Sequence, residues 1–211
     1  MSYYTLIGAQ FFMSTGLDAT KAVTAISNTA PPVVSAAAHG YANNDELLLL
    51  NGLDDLNEVI VRAGSVAAGT FTIPGYDTTN TEFYPAAATA GTAQKVSGWT
   101  PLGQVLGISP SGGEASFEEV KPYDRRNAVK IFTGFSASSL ELTLGWDRAR
   151  ADQVAMQTAS RTATKRAFKF VLPGGVYGYA YGTVSASALP QFETVLKQKV
   201  VLTMAGQFTS F

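Results

Sequence analysis

Apolar and polar residues alternate with a period of two over most of the chain, the spacing that turns one face of a β-strand toward a core. In the last third this alternation covers residues 168–172, 176–184 and 196–204, and Tyr177, Tyr179 and Tyr181 share one strand face. The segment Pro173-Gly174-Gly175 predicts a tight turn between the first two runs, since glycine tolerates positive φ. The pattern predicts three strands of one antiparallel sheet.

Two shorter runs lie upstream. Leu140, Leu142 and Leu144 alternate with polar residues, and residues 129–133 form a similar apolar run. Residues 134–139 lie between them and include Gly134 and three serines, so the pattern predicts that the two runs pair as a hairpin.

One segment has helical character. Residues 148–161 contain neither glycine nor proline, and they follow Asp147, a residue type that favours the N-cap. Spacing of three and four predicts that Ala151, Val154, Ala155 and Thr158 form the face that packs on a sheet.

Residues 19–95 are richer in Ala, Thr, Asn and Gly, and turn signals divide them into short β runs. The predicted strands are residues 23–26, 32–37, 46–50, 58–61 and 70–73. Residues 85–94 are mostly small and predict a linker.

These patterns together predict a mainly β protein. Residues 1–18 and 96–211 are expected to form an antiparallel β-sandwich or partly open barrel with one flanking α-helix. Residues 19–95 are expected to form a small projecting β module.

The amino-acid composition favours an assembled protein over a free monomer. Apolar residues make up 46% of the 211 residues and charged residues only 15%, against about 25% charged in typical soluble domains. A surface this poor in charge suits a protomer that copies of itself cover. The net charge of −1 is uneven, because residues 1–95 are acidic and residues 96–211 are basic.

The residue inventory excludes most catalytic chemistry. Cysteine is absent and His39 is the one histidine, so neither a cysteine nucleophile nor a histidine-rich metal site can be built. Glu118 and Glu119 are adjacent on a predicted strand and point to opposite faces, unlike a glycosidase pair. We therefore expect no enzyme, no metal and no cofactor.

We also expect neither a membrane nor a specifically bound nucleic acid as a partner. No apolar run approaches the roughly 20 residues of a membrane span, and the N-terminus lacks the features of a signal peptide, which predicts a cytoplasmic product. The basic residues are too dispersed for a nucleic-acid footprint.

The order of elements in the C-terminal half resembles that of lambda-like siphophage major tail tube proteins. The resemblance starts at Trp99-Thr100-Pro101-Leu102, continues through residues 115–147, a helix and residues 166–186, and ends in a strand whose Gly206 begins a short tail. It covers about residues 96–211, with residues 3–15 as a first strand.

A second resemblance lies in the N-terminal part. Ala38-His39-Gly40-Tyr41-Ala42-Asn43-Asn44-Asp45, Asn51-Gly52-Leu53 and residues 70–77 are similar to a β module of phage structural proteins. Its fold resembles the first catalytic-cysteine half-domain of ubiquitin-activating enzymes. Asn44 stands where that module usually has glycine. The resemblance implies a spacer or decoration without a catalytic group.

The tail tube resemblance implies a structural virion protein, a homo-oligomer whose rings, hexameric in that family, stack into a tube. DNA would pass transiently and non-specifically through the lumen. The implied partners are tape measure, tail terminator and tail tip proteins, and the implied location is the virion tail, assembled in the host bacterial cytoplasm.

A lumen that conducts DNA must not bind phosphate, so we expect an acidic or neutral lining. The candidates are Glu114, Glu118, Glu119 and Glu141. For ring stacking the candidates are Lys121, Asp124, Arg125 and Arg126 in one loop, and Phe208 and Phe211 in the tail.

Several alternatives stay open at this point. The tyrosine face could be a base-stacking platform, or it could be covered by the helix or a neighbouring subunit. Arg125 and Arg126 could grip phosphate or pair with acids of the next protomer. The protein could instead be a phage decoration or adhesin protein that binds host glycan, a tail-associated glycan hydrolase, or the tube protein of a contractile tail.

Overall fold

The structure is a computed structural model that describes residues 7–85, 89–124 and 126–211. Up to residue 95 it contains nine strands and one 3-10 turn, Asp54–Leu56, among the described residues. The strands are β1 Gln10–Ser14, β2 Lys21–Val23, β3 Ala25–Ile26, β4 Val33–Ser35, β5 Glu46–Asn51, β6 Val59–Arg62, β7 Gly64–Ala67, β8 Thr70–Thr72 and β9 Gly91–Lys95.

The rest of the described chain adds nine strands and one helix, α1 Ala151–Arg161. The strands are β10 Trp99–Leu102, β11 Val105–Ser111, β12 Ala115–Val120, β13 Val129–Phe135, β14 Ser139–Gly145, β15 Lys165–Leu172, β16 Val176–Ala186, β17 Lys197–Met204 and β18 Thr209–Ser210. The predicted mainly β class with one helix is confirmed.

The largest sheet is antiparallel and curls almost into a barrel. Its order is β10-β1-β15-β16-β17-β14-β11, with β18 added beside β16. Although β10 and β11 lie at opposite ends of this order, only Gly103 and Gln104 separate them in sequence. Three peptide steps reach at most about 11 Å, so the two edges must lie near each other. Among the described strands, β10 and β11 do not pair with each other, so the sheet is not closed into a barrel. This fits the predicted sandwich or partly open barrel.

Residues 21–95 supply two four-stranded antiparallel sheets, β2-β9-β5-β6 and β3-β4-β8-β7. The buried core between them includes Val34, Leu47, Leu49 and Phe71. All strands of the large sheet come from residues outside 21–95. The division into a sandwich domain of 1–18 and 96–211 and a module of 19–95 stays a prediction, with which this sheet membership agrees.

The inner face of the curled sheet packs on the helix. Phe168 and Phe170 of β15 lie in one buried cluster with Leu142, Leu202 and the helix residues Met156 and Ala159. The predicted helix is therefore present, but its predicted face is wrong. Val154 is half exposed, and the buried side chains are Asp152, Gln153, Met156 and Ala159. The predicted face is wrong because Asp152 and Gln153 point inward, where they form hydrogen bonds with the backbone N–H of Gly103 and the carbonyl of Gly145.

The predicted N-cap is also wrong. The helix starts after Arg150, which makes no side-chain cap hydrogen bond. The Asp147 side chain instead accepts a hydrogen bond from the backbone N–H of Ala149.

Two further predictions are corrected by the strand pairing. The run at 129–133 does not pair with 140–144, because β13 pairs with β12 while β14 pairs with β11 and β17. The predicted linker at 85–94 is wrong at its C-terminal end, because residues from Gly91 onward form β9, the strand between β2 and β5, in which Ala93 is fully buried. Residues 86–88 of the predicted linker lie outside the described residues. Small side chains suggested a linker, but a strand between two others needs only to fit its neighbours.

The predicted turn after β15 is confirmed. Gly174 and Gly175 have φ of 98° and 82°, a region that L side chains rarely adopt.

Candidate assembly surfaces

The histidine has a structural environment. His39 is buried, its Nε2 donates to the carbonyl of Ala67 at 2.9 Å, and its Nδ1 accepts from the Tyr41 N–H at 2.9 Å. The ring also stacks on that of Tyr41. Both ring nitrogens are engaged, so nothing is left to act as a base. The described residues contain no group of three or more His, Asp or Glu side chains that could hold a metal ion.

In the described chain, no helix has the length and apolarity that crossing a membrane would need.

The tyrosine face of β16 packs against the small sheet β2-β9-β5-β6. It is therefore neither covered by the helix nor open as a base-stacking surface. Tyr179 and Tyr181 lie in a buried cluster with Leu48 and Ile60, which belong to β5 and β6. This outcome corrects the two alternatives considered from sequence. The covering element was missed because it comes from a part of the chain more than a hundred residues away.

A single carboxylate ties these layers together. Glu46, the first residue of β5, accepts hydrogen bonds from the Tyr179 hydroxyl at 2.6 Å and from the Trp99 indole, and its ion pair with Lys169 spans 2.7 Å. Burial, and after it the hydrogen bond to Glu46, raises the pKa of Tyr179. Sequence analysis missed this site because its four members lie on four strands of two sheets.

The hairpin of β12 and β13 contrasts with that interface. It forms a two-stranded sheet of its own, and all of its strand residues except Gly134 are exposed. The rings of Phe117, Phe132 and Phe135 form an aromatic cluster with neighbouring centroids 5.9 and 5.2 Å apart, yet Phe135 is 73% exposed. An isolated hairpin is only marginally stable in water, and such an apolar surface marks a contact site.

The four acidic lumen candidates separate into two places. Glu114, Glu118 and Glu119 lie on or beside the hairpin and are exposed. Glu119 is opposite Lys130 in register. Glu141 lies on β14 and pairs with Lys199 of β17 at 2.6 Å. As predicted, Glu118 and Glu119 lie on opposite faces of their strand.

Three of the loop candidates for ring stacking, Lys121, Asp124 and Arg126, are exposed in the connection between β12 and β13. Arg125 lies outside the described residues. They sit at the far end of the hairpin, where they can reach another copy.

The two tail candidates differ in their surroundings. Phe208 is about half exposed, and its ring lies 6.1 Å from that of Phe170. Phe211 packs on Tyr179 within its own chain, and its backbone exchanges two hydrogen bonds with Tyr177. Phe211 therefore already has an intramolecular partner.

The tail also anchors the fold. Thr209 donates from Oγ1 to the carbonyl of Ile60 at 2.6 Å, and a Cβ placed on Gly206 would lie 2.5 Å from the carbonyl oxygen of Glu58. Deletion of 207–211 would therefore remove packing within the chain as well as any contact between copies.

A second apolar surface lies in the ten-residue loop between β16 and β17. Leu189, Phe192 and Val195 are each more than half exposed. The signal for this surface and for the hairpin was present in the sequence, because both segments carry large apolar residues without a single buried face.

Comparison with known proteins identifies a family. The sequence profile of the family described as phage tail tube protein matches residues 51–211. No curated protein matches the chain. The matched region includes the large sheet from β10 onward, the hairpin and the helix.

The family is structural and its members assemble into the tube of the virion tail together with other tail proteins. This agrees with a site made of contact surfaces and a histidine whose nitrogens are both engaged. The match spans well over half of the chain, and the protein belongs to the phage tail tube protein family.

Proposed function

We propose that this chain is the major tube subunit of a non-contractile phage tail, in which six copies form a ring and the rings stack around a lumen that conducts DNA. The observation that carries the proposal is the β12–β13 hairpin, whose apolar side chains no other described part of its own chain covers. A tube supplies the missing cover from neighbouring copies.

The curled sheet supports a ring. Its edge strands β10 and β11 each have one side without a partner among the described strands. Free edges are an aggregation hazard in a monomer, but in a ring each edge is completed by the adjoining copy.

The charges on β14 and β17, away from the β15–β16 surface on which the sheet β2-β9-β5-β6 packs, suit a wall that DNA passes. Glu141 and Lys199 neutralise each other, and Lys197 pairs with Glu193 beside them. Paired charges neither hold phosphate nor release counterions from DNA. The lumen candidates Glu114, Glu118, Glu119 and Glu141 thus combine into a lining that is neutral to weakly acidic.

The two small sheets support a non-contractile tail. The sheet β2-β9-β5-β6 packs on β15 and β16, on the face opposite the helix, where the two small sheets together would stand between a tube and a surrounding sheath. The same placement suits the spacer role that the resemblance to a phage β module implies. Tape measure, tail terminator and tail tip proteins are the proposed partners, and assembly is proposed to occur in the host bacterial cytoplasm.

Electron microscopy tests the proposal directly. Purified chain at high concentration should form hollow tubes of regular repeat, image averages should show six-fold rings, and antibodies should label the tail shaft of virions. The double substitution Phe132→Ser with Phe135→Ser should give a folded protein that no longer assembles. Stable monomers or trimers, with the chain outside the shaft, would favour the decoration or adhesin alternative. A sheath around the labelled tube would favour the contractile one.

A further inference from the structure

The loop between β16 and β17 borders a concave surface with a basic rim. This concavity of about 300 Å³ is lined by Trp146, Arg148, Gln157, Arg161, Ala188, Leu189 and Pro190. In the part of the chain that the structure describes, neither arginine side chain has an ion-pair or hydrogen-bond partner. With the exposed Leu189, Phe192 and Val195, these arginines form what we call the basic apolar patch.

A surface of opposite character lies on the hairpin. Residues directly opposite each other on paired strands share a face, and the register pairs Glu118 with Ile131 and Val120 with Val129. All four are exposed. Among the described residues neither Glu118 nor Glu119 has an ion-pair partner, but Glu119 has the positive charge of Lys130 opposite it in register on the other face, whereas Glu118 has the apolar Ile131 opposite it. The Glu118 face, defined by these four residues, is therefore apolar with one free negative charge.

The two surfaces complement each other in apolar character and in charge. Each surface exposes large apolar side chains that another molecule could bury. The unpaired carboxylate of the Glu118 face is opposite in charge to the unpaired guanidinium groups of the basic apolar patch. An arginine pairs well with a carboxylate because its planar fork donates two parallel hydrogen bonds.

We propose that the Glu118 face of one copy docks on the basic apolar patch of a neighbouring copy, with Glu118 seated between Arg148 and Arg161. The inference rests on the proposed function, since tube assembly makes a second copy the occupant. The surfaces are different patches of the chain, so the contact is heterologous and propagates from copy to copy. In this arrangement Glu118 belongs to the contact between copies and is no longer a lumen residue.

Charge reversal tests the contact in assembled material. Glu118→Arg alone, and Arg148→Glu with Arg161→Glu, should each lower the amount of tube about tenfold or more at the concentration where the unmodified chain assembles. The triple variant should recover most of it. Glu82→Arg, an exposed reversal on a small-sheet connection, is the matched control and should assemble normally. Thermal unfolding of each variant should match that of the unmodified chain.

The absence of cysteine permits a second measurement that does not depend on assembly in vitro. Phage carrying Glu118→Cys with Arg148→Cys should give, on oxidation of tails, a ladder of dimers, trimers and longer multimers. The pair Glu82→Cys with Arg148→Cys should give none. Normal assembly of the reversed variants, a triple variant no better than its parents, or no ladder would each overturn the docking. If the unmodified chain is absent from the tail shaft, the proposed function itself fails.

Discussion

Similar side chains are exposed in the hairpin of β12 and β13 but buried in the interface between β5–β6 and β15–β16. The interface buries Leu48, Ile60 and Tyr179, and it gives its carboxylate, Glu46, three partners. The hairpin leaves Phe117 and Ile131 in solvent and gives Glu118 no ion-pair partner among the described residues. The first set of contacts holds one chain together, and the second is available to other chains.

Two isoleucines give the sharpest test of this contrast. Ile60 is 1% exposed and Ile131 is 51% exposed. Ile60→Ala should lower the free energy of unfolding by about 2–5 kcal/mol, because it leaves a cavity between two sheets. Ile131→Ala should change it by less than about 0.5 kcal/mol, while weakening tube formation. Denaturant titration and electron microscopy measure the two effects; equal losses of stability would show that the hairpin packs within its own chain.

Two glutamates give the next largest effect. Glu46→Ala should destabilise the chain by about 2 kcal/mol or more, because it leaves the Lys169 ammonium, the Tyr179 hydroxyl and the partly buried Trp99 indole without their acceptor. Glu119→Ala should change stability by less than about 0.5 kcal/mol, since Glu119 is exposed and surface substitutions usually have small effects. The same denaturant titration compares them. A Glu46→Ala chain as stable as its Glu119→Ala counterpart would mean that water replaces the missing carboxylate.

Alkaline pH gives the smallest effect. The folded state raises the pKa of Tyr179 above its unfolded value of about 10. This tyrosine therefore contributes stability that is complete below pH 10 and declines as pH rises toward its folded pKa. Burial likewise raises the pKa of Tyr41 and of Tyr76 to about 12, so stability should fall between pH 10 and 12.

The matched variant is Tyr179→Phe. At neutral pH it should lose about 1 kcal/mol with the hydrogen bond to Glu46, and its deficit relative to the unmodified chain should shrink above pH 10. Melting temperatures measured across this range check the expectation. A deficit that stays constant with pH would assign the alkaline loss to other groups.

Sequence patterns were most successful where one strand face is buried and the other is not. In β15 the alternation of Phe168, Phe170 and Leu172 with Lys169 and Val171, together with the glycines of the following turn, was enough to predict a strand and its hairpin. The same logic failed for β9, whose small side chains carry little hydrophobic signal although the strand is central in its sheet. It also failed for β13, where apolar residues on both faces indicated a strand but not its partner.

The candidate sites show the same limit. Residue types alone excluded a cysteine nucleophile and a histidine-rich metal site, and the hairpin residues Glu118 and Glu119 were placed correctly on opposite faces. The sequence did not predict that Lys199 neutralises Glu141 or that Phe211 packs on Tyr179. Both contacts depend on strand neighbours that are distant in sequence.

The sequence by itself determined the β class, the single helix, the absence of catalytic cysteine chemistry and the low charge that suits assembly, because these follow from composition and local periodicity. Only the tertiary structure decided which face each element buries, which carboxylates find partners and which apolar surfaces stay uncovered. Those outcomes depend on contacts between strands that lie far apart in the chain, and local periodicity carries no information about which strands meet.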